Sequence, residues 1–166
     1  MPKNNSSVRL IISGGQSGAD LAGNEFAEEQ GIQHQCYVFP NFIPDSNEDL
    51  KQLKKYSLLF VKCSDPEDYT KCLRERTIHN VRRADATIIF HSRPIEDTRG
   101  SRLTAKMCKA YEKACCIVSI HYPEDSAKAI VKFLQENKPR CLNIAGERTL
   151  YRHSVKEILV RAWKKL

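Results

Sequence analysis

No apolar run in the 166 residues approaches the roughly 20 needed to cross a bilayer, which argues against a membrane-spanning helix. The run Val8 to Ile12 is too short, and too soon interrupted by glycine, to act as a secretory leader, and Met1 to Ser7 before it is polar. The chain is therefore expected to be cytoplasmic. No C-x-x-C pair and no paired histidine spacing occurs, so structural zinc has no visible ligands and no metal site is expected. The seven cysteines are an odd number scattered along the chain and read as reduced thiols, with Cys115 and Cys116 acting as small hydrophobes. No repeat, low-complexity tract or linker divides the sequence, so residues 1–166 are read as one domain.

A formal charge of +7 favours anionic partners. Arg74, Arg76, Arg82 and Arg83 crowd one segment, and Arg148, Arg152, Lys156, Arg161, Lys164 and Lys165 another. Few aromatic rings are interleaved as stacking platforms, so nucleic-acid binding stands as an alternative rather than the main reading.

What is present is an alternation of short β-branched or aliphatic runs with helix-patterned stretches, the sequence form of βαβ units around a parallel sheet. Strands are expected at Val8 to Ser13, Gln35 to Phe39, Leu58 to Cys63, Ala86 to His91, Cys115 to Ile120 and Arg140 to Ile144. Leu21 to Gln30, ended by Gly31, reads as a helix. The stripes Leu103, Met107, Ala110, Ala114, then Ala127, Ile130, Val131, Leu134, then Val155, Ile158, Leu159, Ala162, Leu166 mark further helix faces turned to the core. Pro40 to Gln52 lacks periodicity and reads as a loop. The expected architecture is a three-layer α/β domain with a mainly parallel sheet, whose ligands settle beyond the carboxyl ends of the strands.

Three elements follow from that expectation. The first strand runs into Gly14-Gly15-Gln16-Ser17-Gly18-Ala19-Asp20, where glycines let backbone N–H groups approach an anion beside a helix N-terminus. Neither the one-residue glycine spacing of the dinucleotide fingerprint nor a Gly-Lys-Ser/Thr ending is present. A tight turn capped by Ser17 is the competing reading. Gly18 is expected where a side chain would intrude between backbone and phosphate. In the second element, Arg99, Gly100, Ser101 and Thr104 follow the strand Ala86 to His91 and open a helix that could add contacts to phosphate. In the third, Arg76 and Asn80 share a helix face aimed at the next strand, where they either touch a ligand or make a surface ion pair and a local hydrogen bond.

The series Gly14 to Asp20, Arg76-Thr77-x-x-Asn80-Val81, Ala84-Asp85-Ala86-Thr87-Ile88-Ile89, Gly100-Ser101-x-Leu103-Thr104 and Leu142-Asn143-Ile144-Ala145-Gly146-Glu147-Arg148 resembles the putative molybdenum carrier family. The resemblance covers most of the chain. It implies a Rossmann-like fold of the SLOG superfamily, related to the LOG phosphoribohydrolases, and binding of a nucleotide or nucleotide derivative, with a molybdopterin-type cofactor among the ligands the family name suggests. The sequence departs from that pattern at Cys36 to Phe42, where the family carries a basic glycine-rich stretch. It departs again at Arg99, which either adds a charged contact or blocks the cradle, and it lacks the Pro-Gly-Gly-x-Gly-Thr-x-x-Glu motif of the LOG enzymes.

The expected function is binding of a phosphorylated small molecule by Gly14, Gly15, Gln16, Ser17, Gly18, Asp20, Arg76, Asn80, Arg99, Gly100, Ser101 and Thr104, with Asp20 or Asp85 reading a ribose hydroxyl or base edge. A hydrolase acting on a nucleotide's glycosidic or phosphoester bond is the alternative, with Asp20 as the acid–base group. A homo-oligomer is the expected assembly.

Overall fold

The computed structural model describes residues 5–166; Met1 to Asn4, part of the polar lead-in, lie outside the described residues. Six parallel strands form one sheet in the order β3-β2-β1-β6-β4-β5, namely β1 Leu10–Gly14, β2 Gln33–Val38, β3 Leu58–Phe60, β4 Ala86–His91, β5 Ala114–Ser119 and β6 Cys141–Gly146. Among the described residues five α-helices connect them and a sixth follows β6: α1 Ala19–Gln30, α2 Asn47–Leu53, α3 Tyr69–Arg83, α4 Arg99–Ala110, α5 Pro123–Asn137 and α6 Arg152–Trp163. This is the Rossmann-like three-layer fold expected.

Two windings share the sheet. From β1 the chain steps outward through α1 to β2, and from β4 it steps outward through α4 to β5 in the opposite direction. Right-handed crossovers therefore place α1 and α4 on opposite faces, and β6 fills the seam between the two halves. The larger core lies under α1, α5 and α6, with Ile11, Phe26, Ile88, Phe90, Ile130, Leu142, Ile144 and Ile158 all buried. At about 25 cal/mol per Å² of apolar surface, such fully buried side chains each contribute roughly 1.5–3 kcal/mol, which is what anchors the loops at the strand ends.

Four details differ from the sequence reading, the first being that α4 ends at an exposed Ala110 while Ala114, expected on the same helix face, opens β5. The segment 40–52 is not all loop: Ser46 accepts the N–H of Asp49 at 3.1 Å and caps α2, whose first turn carries Glu48 and Asp49. With only Leu53 buried, α2 shows no apolar period. Strand β3 is three residues long instead of six, because it pairs only with β2 at the sheet edge and leaves Phe60 65% exposed. The reduced-thiol reading fails at Cys63 and Cys72, which form a disulfide with Cα atoms 5.2 Å apart across the β3–α3 turn. Cys36, Cys108, Cys115, Cys116 and Cys141 remain free. Among the described residues, no helix is long and apolar enough to cross a membrane.

Candidate functional site

The carboxyl ends of β1, β4 and β6 sit side by side at the seam of the sheet, so the loops that leave them converge. The loop after β1 is closed by its own neighbours. Helix α1 starts after Gly18, whose φ of 77° suits glycine, and no side chain caps its first turn. A Cβ on Gly18 would stand 2.4 Å from the carbonyl oxygen of Glu147. The glycine is thus required by packing against the β6–α6 loop.

Beneath this loop lies a buried ion pair. Arg76 Nη2 is 3.5 Å from Asp20 Oδ2, and the two side chains are 4% and 8% exposed. The same guanidinium donates to Gln16 Oε1 at 3.1 Å, and the Gln16 N–H donates to Asp20 Oδ2 at 3.3 Å. Gly14 lacks a side chain because a Cβ there would fall 2.4 Å from both Arg76 Cζ and Asp20 Oδ2. Burial pushes the Asp20 carboxyl up to about 6, against the pull of Arg76 and the Gln16 N–H. Ser17 faces the other way, donating to Asp49 Oδ2 at 2.6 Å and accepting the Asp45 N–H at 3.2 Å, so it ties the loop to α2.

Glu147 joins the other two loops, and sequence reasoning did not single it out as a site residue. Its carboxylate accepts the N–H of Ser92 at 2.9 Å, the Ser92 hydroxyl at 2.8 Å and the N–H of Arg93 at 3.1 Å. Burial alone would raise this carboxyl, but those donors and the Arg93 guanidinium outweigh it and hold Glu147 below the usual range. The motif Gly146-Glu147-Arg148 carried the signal, without saying which partner each residue meets.

Between the loops after β4 and β6 and the first half of α3 opens a cleft of about 970 Å³. Gln16, Arg99, Gly100 and Ser101 line it among the sequence candidates; Gly14, Gly15, Ser17, Gly18, Asp20, Arg76, Asn80 and Thr104 do not. Arg74, Arg93, Arg102, Lys106 and Arg148 line it without having been assigned to the site. Arg76 makes an ion pair, but a buried one instead of the surface pair considered from sequence. Asn80, 5% exposed, lies one turn further along α3 and its Oδ1 has no hydrogen-bond partner. Thr104 donates to its own helix at Gly100 O, 2.9 Å away. Asp85 cannot read a ligand at this end of the sheet, because it precedes β4 at the amino end and accepts the N–H groups of Arg140 and Cys141 at 2.9 and 2.8 Å.

The start of α4 has no side-chain cap and a polar atom without a partner. Thr98 occupies the cap position but donates its hydroxyl to Ile95 O at 3.0 Å, so no side chain caps the helix. Ser101 in the first turn is 3% exposed and its Oγ has no partner. Gly100 leaves the approach open, with nothing within 4 Å of where a Cβ would stand. Uncapped helix N–H groups, an unpaired hydroxyl and surrounding guanidiniums can together hold an anion.

Residues 11–165 match the model of the circularly permutated YpsA SLOG family. The chain belongs to this family. Its fold is shared with the crystal structure of a putative molybdenum carrier protein from Syntrophus aciditrophicus SB, at 26% sequence identity and a TM-score of 0.80 over 95% of this chain and 96% of that one. No curated protein matches the chain. Membership in the SLOG family and that likeness support a ligand-binding role for the fold.

Proposed function

We propose that the chain binds a nucleotide or nucleotide-derived phosphorylated small molecule in the cleft, with a phosphate at the N-terminus of α4. The observation that carries this reading is the buried, unpartnered Ser101 Oγ at an uncapped helix start, on a cleft whose lining includes six cationic side chains. Gly100 and Arg99 flank that position, and Gln16 reaches the cleft from the loop after β1. Gly14, Gly15, Ser17, Gly18, Asp20 and Arg76 act one layer back, holding the loop in place. The structural neighbour is named for carrying molybdenum, and a molybdopterin-type cofactor, which holds that metal, would belong to the same ligand class through its phosphate. Among the described residues no group of three His, Cys, Asp or Glu side chains gathers to hold a metal directly, so such a cargo would be gripped through its anionic part.

Binding without turnover is favoured over hydrolysis. Asp20, the acid–base candidate, has a carboxyl near 6 but does not line the cleft and is engaged by Arg76 and Gln16. The test is a melting-temperature panel of phosphorylated small molecules beside their dephosphorylated forms. Ligand at 100 times its Kd stabilises the native state by about 2.7 kcal/mol, a rise of roughly 5–10 °C for a domain of this size. A panel without any phosphate-dependent rise would remove the reading.

A further inference from the structure

The charge in the cleft is not closed by the chain itself. Arg74, Arg93, Arg99, Arg102, Lys106 and Arg148 line it, against the carboxylates of Asp97 and Glu147. Glu147 is engaged by Ser92 and Arg93, and Arg148 has Asp45 at 3.7 Å. Among the described residues, Arg74, Arg99, Arg102 and Lys106 make no ion pair. This contrasts with the C-terminal basic segment, where Arg152, Lys156, Arg161 and Lys165 are all paired with Glu25, Asp49, Glu29, Glu124 or Glu157. The lining also contains no aromatic ring, and the hydroxyls of Thr77 and Thr98 are turned to the carbonyls of Leu73 and Ile95.

Building on the function proposed above, we infer that the cleft takes a polyphosphate-bearing small molecule, a nucleoside polyphosphate or a related chain of adjacent phosphates, and selects it by phosphate number and not by base. A single phosphomonoester brings about 1.5–2 negative charges, too few to satisfy four unpaired cations. Adjacent phosphates bring further charge to the same four cations, and the three guanidiniums among them can each form paired charge-assisted hydrogen bonds. Reading a base requires a stacking ring or fixed polar edges, and this lining has no ring to offer. The cleft volume of about 970 Å³ leaves room for such a molecule.

Calorimetry at fixed ionic strength, with a chelator present, tests this with adenosine 5′-mono-, di- and triphosphate, guanosine and cytidine triphosphates, and inorganic tripolyphosphate. Affinity should rise about tenfold or more from mono- to triphosphate, as expected for added charged hydrogen bonds. The three triphosphates should agree within about threefold, since no aromatic stacking separates them. The double variant Arg102→Gln, Lys106→Gln, folded by circular dichroism and melting like the wild type, should compress the mono-to-triphosphate ratio by about tenfold. Equal affinity for mono- and triphosphate, or a base preference beyond about tenfold, would overturn selection by phosphate number while leaving the cleft as a phosphate site. Binding of none of the probes would overturn both. Tight, steeply salt-dependent binding of a single-stranded oligonucleotide, with no binding of the short polyphosphates, would overturn the inference in favour of nucleic acid.

Discussion

The loops after β1 and β4 both place glycine where a strand turns into a helix, yet their surroundings are opposite. Around the first, a Cβ on Gly14 would meet Arg76 and Asp20, one on Gly15 would meet Val38 and Phe42, and one on Gly18 would meet the backbone of Glu147 and Arg148. Around the second, a Cβ on Gly100 would meet nothing within 4 Å. The first loop supplies its own anion, the Asp20 carboxylate, which accepts the Gln16 N–H, while Nε and Nη1 of the buried Arg76 beside it have no hydrogen-bond partner. The second leaves Ser101 Oγ unpaired at an uncapped helix start. Glycines at a strand-to-helix turn therefore signal close approach, and the neighbours decide whether protein or ligand does the approaching.

The most severe test of the closed loop is Arg76→Met, which leaves Asp20 buried without its counter-charge. Removing one partner of a buried pair costs about 3–5 kcal/mol, read by urea denaturation at pH 8. The penalty should shrink with acid. The Asp20 carboxyl titrates near 6 in the folded protein against 3.8 for the free group, so between those values the folded state holds the proton more firmly than the unfolded chain. Wild-type stability gains from this group as pH falls from about 6 to about 4, and loses the gain as pH rises again. Near pH 4 Asp20 is neutral in both proteins, and Arg76→Met should then cost well under half its value at pH 8. A cost that does not change with pH would mean the carboxylate is not what Arg76 serves.

Gly18→Ala comes next. It places a side chain at φ 77° and a methyl 2.4 Å from a carbonyl oxygen that belongs to backbone and cannot rotate away. Strain and overpacking together should cost about 2–4 kcal/mol. Denaturation midpoints within experimental error of the wild type would show that the β6–α6 loop yields freely, and the distinction between the two loops would weaken.

The layered architecture was legible because buried parallel strands write continuous apolar runs, and Ala86–His91 matches the sequence expectation residue for residue. Strand β3 and helix α2 were not, because an edge strand with one neighbour and a short helix burying one residue leave almost no pattern. Gly14 to Asp20, Arg76 and Asn80 were legible as a group, and the structure brings Gln16, Asp20 and Arg76 into one hydrogen-bonded unit packed against Gly14. Their layer was not legible, because a buried arginine and a ligand-binding arginine occupy the same helical spacing. Arg93, Arg102 and Lys106 escaped notice for the converse reason: an exposed charge after a strand or on a helix looks like any solvated residue until three loops converge on it.

The gentlest substitution bears most directly on the open loop. Gly100 is the second residue of α4, and it is not among the glycines with positive φ, so alanine fits the backbone without strain. Replacing glycine by alanine in a helix stabilises by about 0.4–1 kcal/mol through the unfolded chain and the helical preference. Gly100→Ala should therefore melt at or slightly above the wild-type temperature, the reverse of Gly18→Ala. Its effect on ligand should also reverse. A helical Cβ tilts toward the N-terminus, so the new methyl leans over the same uncapped N–H groups that the phosphate would approach. Affinity for a phosphorylated ligand such as adenosine 5′-triphosphate should fall about tenfold, equivalent to roughly 1.4 kcal/mol, while the fold gains. Calorimetry and a thermal melt on the one variant read both quantities. Unchanged affinity in a stabilised protein would move the phosphate away from the N-terminus of α4 and leave the cationic side chains of Arg74, Arg102 and Lys106 to hold it alone.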